Sequence, residues 1–300
     1  MKSSMKMFFI LALAGLVFTS CKKDSETPDT FTEDQLVAYD QNQADTEADD
    51  VSNLESQIME ANDSKFNGRI ASDSVEVPFD TANCAQVTIV PKGSNPTGTF
   101  TINFGSTGCL CKDGRRRKGK IISTFTNRIR TQGAEINTSY ENYGVSRRGS
   151  TEFIMFDNSS TKKTITTSAP AVITDNAVLG ITREVNMKVT LPAGNVFSYT
   201  GSRQMEWNLG QLQNRWDNVY ITKAGSNQSG VDRKGRNYTM TVNTDLVRKA
   251  ECAFIGIYKP VSGQVTISHD NKTKVVNFGD GACDNSVDVT INGKKTRTRW

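Results

Sequence analysis

The chain has 300 residues and a formal charge of +4, with 36% hydrophobic residues, six cysteines and a single histidine. That length admits one large or two modest domains. Zinc takes four ligands; His269 is the only histidine and there is no second close cysteine pair to complete a site at Cys109-Leu110-Cys111, so no metal and no cofactor are expected.

The first segment is an address. Lys2 and Lys6 precede an apolar run from Met7 to Phe18, and Thr19-Ser20-Cys21 follows. A basic start, an apolar middle and small residues before a cut describe a secretory signal over residues 1–20, and the run is too short to span a bilayer. Ending on Cys21, it resembles a bacterial lipobox, with Phe18 where Leu is usual, which implies acylation of Cys21. Residues 21–31 lack the apolar surface to fold and read as a solvated tether. Acidic residues so close behind the lipidated cysteine resemble the surface-export signal of Bacteroidota lipoproteins. That resemblance places the protein on the outer membrane, anchored by lipid and exposed at the cell surface.

Charge is strongly segregated beyond this point. Residues 24–63 hold thirteen Asp/Glu and no Lys/Arg, whereas residues 64–300 hold 32 Lys/Arg against 19 Asp/Glu. Residues 32–63 form an acidic helical leader. Thr32-Glu33-Asp34-Gln35 fits a capping box, and Ala44, Ala48, Val51, Leu54 and Ile58 share one helical face. Because that face is narrow, the helix is expected to dock weakly or to break near Asp40 to Asp45.

Period-two patterning takes over in the body, residues 64–300. Val185, Met187, Val189 and Leu191 alternate with polar residues, as do Tyr238, Met240 and Val242, and Val287, Val289 and Ile291. Asn292-Gly293 predicts a two-residue hairpin between the last two strands. The expected fold is mainly β: an antiparallel meander forming a sandwich or a long twisted sheet, preceded by a short acidic helix.

One compound pattern occurs twice. Cys84-Ala85 opens a predicted strand, and Asn103-Phe104-Gly105 is followed four residues later by Cys109. Cys252-Ala253 and Asn277-Phe278-Gly279 with Cys283 repeat the arrangement. Two related units, at about 80–170 and 171–300, follow from it. An exported protein can form disulfides, and the repeat pairs Cys84 with Cys109 and Cys252 with Cys283, each worth about 3.5 kcal/mol by loop closure. Cys111 has no counterpart and is the favoured odd thiol; Cys84 with Cys111 is the competing pair.

Several stretches of the body resemble surface-exposed lipoproteins of the Bacteroidota that have no assigned activity. They are Asn103 to Cys109, Asp113 to Ile122, Tyr140 to Val145, Leu246 to Cys252 and Gly279 to Asn285. The resemblance covers about residues 80 to 300 and implies an envelope location without implying a reaction.

Two candidate sites remain. Arg115, Arg116, Arg117, Lys118 and Lys120 lie between Gly114 and Gly119 or just beyond. They read either as a contact for an anionic glycan or as a solvated hairpin tip before a strand at Ile121. Without interleaved aromatics they are not a nucleic-acid site. Trp207, Trp216 and Tyr220 read either as a glycan platform or as core. No Gly-x-Ser-x-Gly elbow accompanies His269, and no catalytic residue is assigned. The expected function is a lipid-anchored, non-enzymatic envelope protein for binding, adhesion or structure, meeting the membrane through its lipid and, as candidate partners, glycans or other envelope components. The alternative is a surface hydrolase acting on glycans.

Overall fold

The computed structural model describes residues 33–61, 85–91, 97–111, 113–128, 131–167, 176–211, 215–269 and 272–299. The signal segment, the tether, Cys21 and Cys84 lie outside them.

The acidic leader is one continuous helix, α1 (Glu33–Ala61), with no break near Asp40 to Asp45. Among the described residues sixteen strands follow and join a single antiparallel sheet. They are β1 (Gln86–Pro91), β2 (Gly98–Asn103), β3 (Cys109–Leu110), β4 (Arg116–Phe125), β5 (Glu135–Ser146), β6 (Phe153–Met155), β7 (Ser160–Ile165) and β8 (Val178–Thr190). After these come β9 (Val196–Asn208), β10 (Val219–Thr222), β11 (Asn227–Val231), β12 (Asn237–Lys249), β13 (Ser262–His269), β14 (Lys272–Asp280), β15 (Ser286–Ile291) and β16 (Lys294–Arg299). A short helix, α2 (Ala250–Phe254), follows β12.

The meander is nearly pure. The sheet runs β1-β2-β4-β5-β6-β8-β9-β10-β12-β13-β14-β15-β16, with β3 beside β4, β7 between β5 and β8, and β11 between β9 and β12. Of the two expected architectures, the long single sheet is the one formed. The boundary near residue 170 falls between β7 and β8, which pair from Ser160↔Asn186 to Ile165↔Ile181, so the two halves share one sheet. Asn292 and Gly293 both have positive φ, 50° and 77°, as the β15–β16 hairpin requires. The terminal strand β16 reads Lys-Lys-Thr-Arg-Thr-Arg, a charged edge that discourages pairing with a second chain.

The repeated motif has a local physical meaning. The Asn103 and Asn277 side chains accept the main-chain N–H of Gly105 and Gly279, at 3.0 and 2.9 Å. Both glycines have positive φ, and the intervening Phe104 and Phe278 are buried. The units are not equivalent throughout, because Cys252-Ala253 lies in α2 rather than opening a strand. Cys252 and Cys283 form the expected disulfide. Cys109 is also disulfide-bonded, while Cys111 is a free, buried thiol.

The helix is the centre of the molecule. From Leu36 to Met59 every residue of α1 is buried except Leu36, Tyr39, Gln43, Thr46, Asp50, Asn53 and Gln57. Those seven recur at alternating spacings of three and four, which is a single helical stripe. Side chains from β4, β5, β7, β8, β9, β10 and β12 all reach the helix (Arg117, Thr138, Lys163, Arg183, Tyr199, Tyr220 and Arg248). A sheet can touch one helix from so many successive strands only by curling around it. Weak docking through a narrow apolar face is therefore replaced by enclosure on all sides but one. Among the described residues no helix is long and apolar enough to cross a membrane.

Candidate ligand pocket

Strand alternation explains how the sheet recognises an acidic helix. On β8 the inward row is Leu179, Ile181, Arg183, Val185, Met187 and Val189; on β9 it includes Phe197, Tyr199, Arg203, Met205 and Trp207. Each arginine is in phase with apolar neighbours and so must point into the concave face. Lys163 on β7 and Arg248 on β12 occupy the same kind of position.

Helix carboxylates meet these cations one by one. Asp40 pairs with Arg233, Asp49 with Arg183 and Asp45 with Arg203, the last at 2.6 Å. Arg248 stands 3.5 Å from Asp45 and 3.4 Å from Asp49. Near the helix end, Glu55 accepts bonds from Ser123, Thr138 and, at 3.2 Å, Lys163. Burial pulls the Lys163 pKa down against the opposing attraction of Glu55. Buried charges of this kind are tolerable because each is paired and hydrogen-bonded.

The basic run is the largest departure from expectation. Arg116 to Lys120 lie within β4 rather than in a turn before it, and β4 alternates so that Arg117, Ile121, Ser123 and Phe125 face inward. Arg117 is only 2% exposed; its Nη2 contacts Asp50 at 2.6 Å and Asp113 at 2.7 Å. Arg115 spans Glu47 and Asp50, both at 2.8 Å, and Asp113 at 2.9 Å. The anions these two arginines meet are thus the helix's own carboxylates together with Asp113 of the preceding turn. Lys118 and Lys120 point the other way, Lys118 over the Phe153 ring at 4.8 Å and Lys120 to Glu141 at 2.8 Å. The Arg116 main-chain N–H donates to Ser146 Oγ. Neither an outward anion patch nor a solvated tip describes this arrangement.

For the aromatic trio the core reading holds for two members. Trp207 and Tyr220 are buried, with ring centroids 5.7 Å apart, and the Tyr220 hydroxyl donates to Asn53 on α1. They are core, not an exposed glycan platform. Trp216, in a 3-10 turn at Arg215–Asp217, is partly buried against that core. His269 ends β13, buried against Tyr238, with Nδ1 3.1 Å from the Asn237 carbonyl oxygen. Glu251 lies beside Cys252 and Cys283, but both sulfurs are consumed in their disulfide.

What remains open is a pocket over the half-buried stripe of α1. Thr46, Asp50, Asn53 and Gln57 form its floor together with Leu54. Its walls come from Cys111, Asp113, Arg115, Arg117, Arg148, Trp216 and Tyr220 and from Arg248, Lys249, Ala250, Ala253, Ile257, Tyr258 and Lys259, enclosing about 150 Å³. Thr46 Oγ1 donates to the Tyr258 carbonyl at 2.7 Å, which seats the wall that follows α2 on the helix. The Arg115 guanidinium lies 5.7 Å from the centre of the Tyr258 ring.

Two of its carboxylates, Asp50 and Asp113, are held as anions. Burial works against ionisation of Asp50, yet Arg115 and Arg117 outweigh it and leave the pKa below the ordinary carboxylate value. Asp113 is likewise depressed, burial being overcome by Arg117 and Arg115. Groups so held do not carry a proton at neutral pH and are poor general acids. The free thiol of Cys111 goes the other way, its pKa raised by burial. Comparison with known protein families, curated proteins and solved structures finds no match for this chain.

Proposed function

We propose that this protein is a lipid-anchored, non-catalytic binding protein of the bacterial cell envelope, with its ligand seated in the pocket between α1 and the sheet. The observation that carries the binding reading is the stripe of α1 left open by a sheet that covers the rest of the helix. A concave site that sets apolar side chains beside convergent polar and charged groups has the form of a small-molecule site. Arginines hold Asp50 and Asp113 as anions, which supports binding over hydrolysis of glycans, a reaction that needs a protonated carboxyl.

The anchor is supported by the lipobox-like end of the apolar segment at Cys21 and by the acidic residues behind it. Lipidation there would present the body at the outer membrane, exposed at the cell surface, on the tether that precedes α1. Replacing Cys21→Ala should release the protein from membranes; unchanged fractionation would defeat the anchor. Protease treatment of intact cells should digest a surface-exposed body. Turnover of a glycan or peptide by the purified protein would overturn the non-catalytic reading.

A further inference from the structure

Six cationic side chains line the pocket against three carboxylates, and acids outside the lining, Glu47, Asp45, Glu251 and Asp284, stand within 4 Å of five of the six. Arg115, Arg117 and Arg248 are engaged by acids of α1, joined for the first two by Asp113, and Lys249 lies 3.5 Å from the exposed Glu251.

Arg148 and Lys259 stand apart from these pairs. Arg148 Nε donates to the main-chain oxygen of Asp113 at 3.1 Å. The Lys259 ammonium donates to the carbonyl oxygens of Pro260 and Phe278 at 3.2 and 3.3 Å. Its side chain is 3% exposed, and the Asp284 carboxylate, 3.9 Å away, is itself 57% exposed. Neutral carbonyls satisfy the donors of a buried ammonium without neutralising it, so the charge favours an incoming anion. Burial also pulls the Lys259 pKa down, against the opposing attraction of Asp284.

Leu54, Trp216, Ile257 and Tyr258 give the pocket an apolar wall beside the polar Thr46, Asn53 and Gln57 of the helix. A cavity of about 150 Å³ holds a body the size of one benzene ring. A bare inorganic anion would leave that wall wet, and a neutral apolar molecule would leave the Lys259 ammonium with only two carbonyls and the exposed Asp284 carboxylate.

We propose that the pocket binds a small amphipathic monocarboxylate, an apolar body of about one ring with its carboxylate directed at Arg148 or Lys259. The inference rests on the reading of this pocket as a ligand site and specifies what that site takes.

Calorimetric titration of the purified protein tests it. The probes are sodium phenylacetate and sodium octanoate, with phenylacetamide as the neutral match and sodium acetate as the anion without a body. At least one of the two amphipathic acids should bind saturably, with the amide and acetate weaker by about tenfold or more, roughly the worth of one charge-assisted contact. Arg148→Gln, at the pocket rim, or Lys259→Met should weaken the acid by a similar factor and leave the amide unchanged. If Lys259→Met does not fold, Arg148→Gln together with the acid-to-amide comparison decides the matter. An amide that binds as tightly as the acid, equal affinity in every variant that folds, or no binding of either acid at about 10 mM would overturn the proposal. A neutral sugar or peptide that binds, and is weakened by Trp216→Ala, would overturn the anion inference while leaving the binding-protein reading standing.

Discussion

Arg203 on β9 places its Nη2 2.6 Å from Asp45 Oδ1 on α1, with side chains 2% and 3% exposed. The Tyr199 hydroxyl donates to the same oxygen at 2.7 Å. Asp45→Ala would strand Arg203 in the interior and remove an acceptor from Tyr199. Loss of one partner of a buried pair costs about 3–5 kcal/mol, so urea denaturation should show a shift of that order. Asp45→Leu combined with Arg203→Met should recover part of it, because no buried charge is then left without its counterpart. A shift below about 1 kcal/mol for Asp45→Ala would show that this pair does not hold the helix in place.

The helix should be indispensable to the sheet. In a chain lacking residues 33–61, Lys163, Arg183 and Arg203 would line the concave face without their carboxylates, and the apolar rows beside them would be exposed. Such a chain should bind ANS and lose the near-ultraviolet dichroism of fixed aromatic packing. A deletion variant that stays monomeric and keeps its native spectrum would refute enclosure as the basis of the fold.

Two carboxyls of opposite behaviour give a pH signature. Burial pushes Asp40 from its ordinary 3.8 up to about 6, against the pull of Arg233. The folded chain then holds that proton more tightly than the unfolded chain. Its contribution to stability is complete below the unfolded value and is lost as pH rises through about 6, amounting to about 3 kcal/mol. Asp113, depressed in the fold, contributes above the unfolded value and loses that contribution on acidification. In denaturation between about pH 3 and 7, the wild-type advantage over Asp40→Asn should therefore shrink as pH rises. Its advantage over Asp113→Asn should shrink as pH falls. Parallel profiles for the two variants would contradict both assignments.

The free thiol offers a simpler check. Cys111 is buried, and burial raises its pKa, so it should resist iodoacetamide in the native protein and react after denaturation. Peptide mapping without reduction should join Cys252 to Cys283. Cys111 recovered in a disulfide would overturn the free-thiol assignment.

Strands and turns were legible in the sequence because they are local. Val185 to Leu191 alternates in phase with its own burial, and Asn292-Gly293 is turn chemistry that needs no tertiary context. The place of α1 was not legible, because it depends on residues far away in the chain. Read alone, Asp45 and Asp49 look solvated and leave a thin apolar face. The signal lay in the strands: Arg183 and Arg203 sit in phase with Ile181, Val185, Tyr199 and Met205, positions where a charge is costly unless met. Combined with thirteen acids and no bases in residues 24–63, that phase could have pointed to an internal partner. The basic run misled for a related reason. Two glycines made it look like a turn, whereas Gly119 serves a strand irregularity and the alternation through Arg117, Ile121 and Ser123 is unbroken.

Gly119 carries the last prediction. The register between β4 and β5 passes from Lys118↔Gly144 to Lys120↔Glu141, two residues on β4 against three on β5. The extra residue changes the inward set of β5 from Ile136, Thr138 and Tyr140 to Tyr143 and Val145, which brings the Tyr143 hydroxyl to Glu47. Asn142 in the bulge has φ 49°, and a Cβ on Gly119 would stand 2.1 Å from its carbonyl oxygen. Gly119→Ala must therefore push the bulge away or flatten it, which also withdraws Tyr143 from the helix. Its cost should be about 3 kcal/mol or more, the range of severe backbone and packing conflicts. Gly133 is a matched control: its φ is +81° and nothing lies within 4 Å of an added Cβ. Gly133→Ala should cost only the left-handed backbone penalty, about 1–2 kcal/mol. Urea denaturation of the two variants separates backbone strain from steric conflict, and equal costs would mean that the β5 bulge yields freely and does not fix Tyr143 against α1.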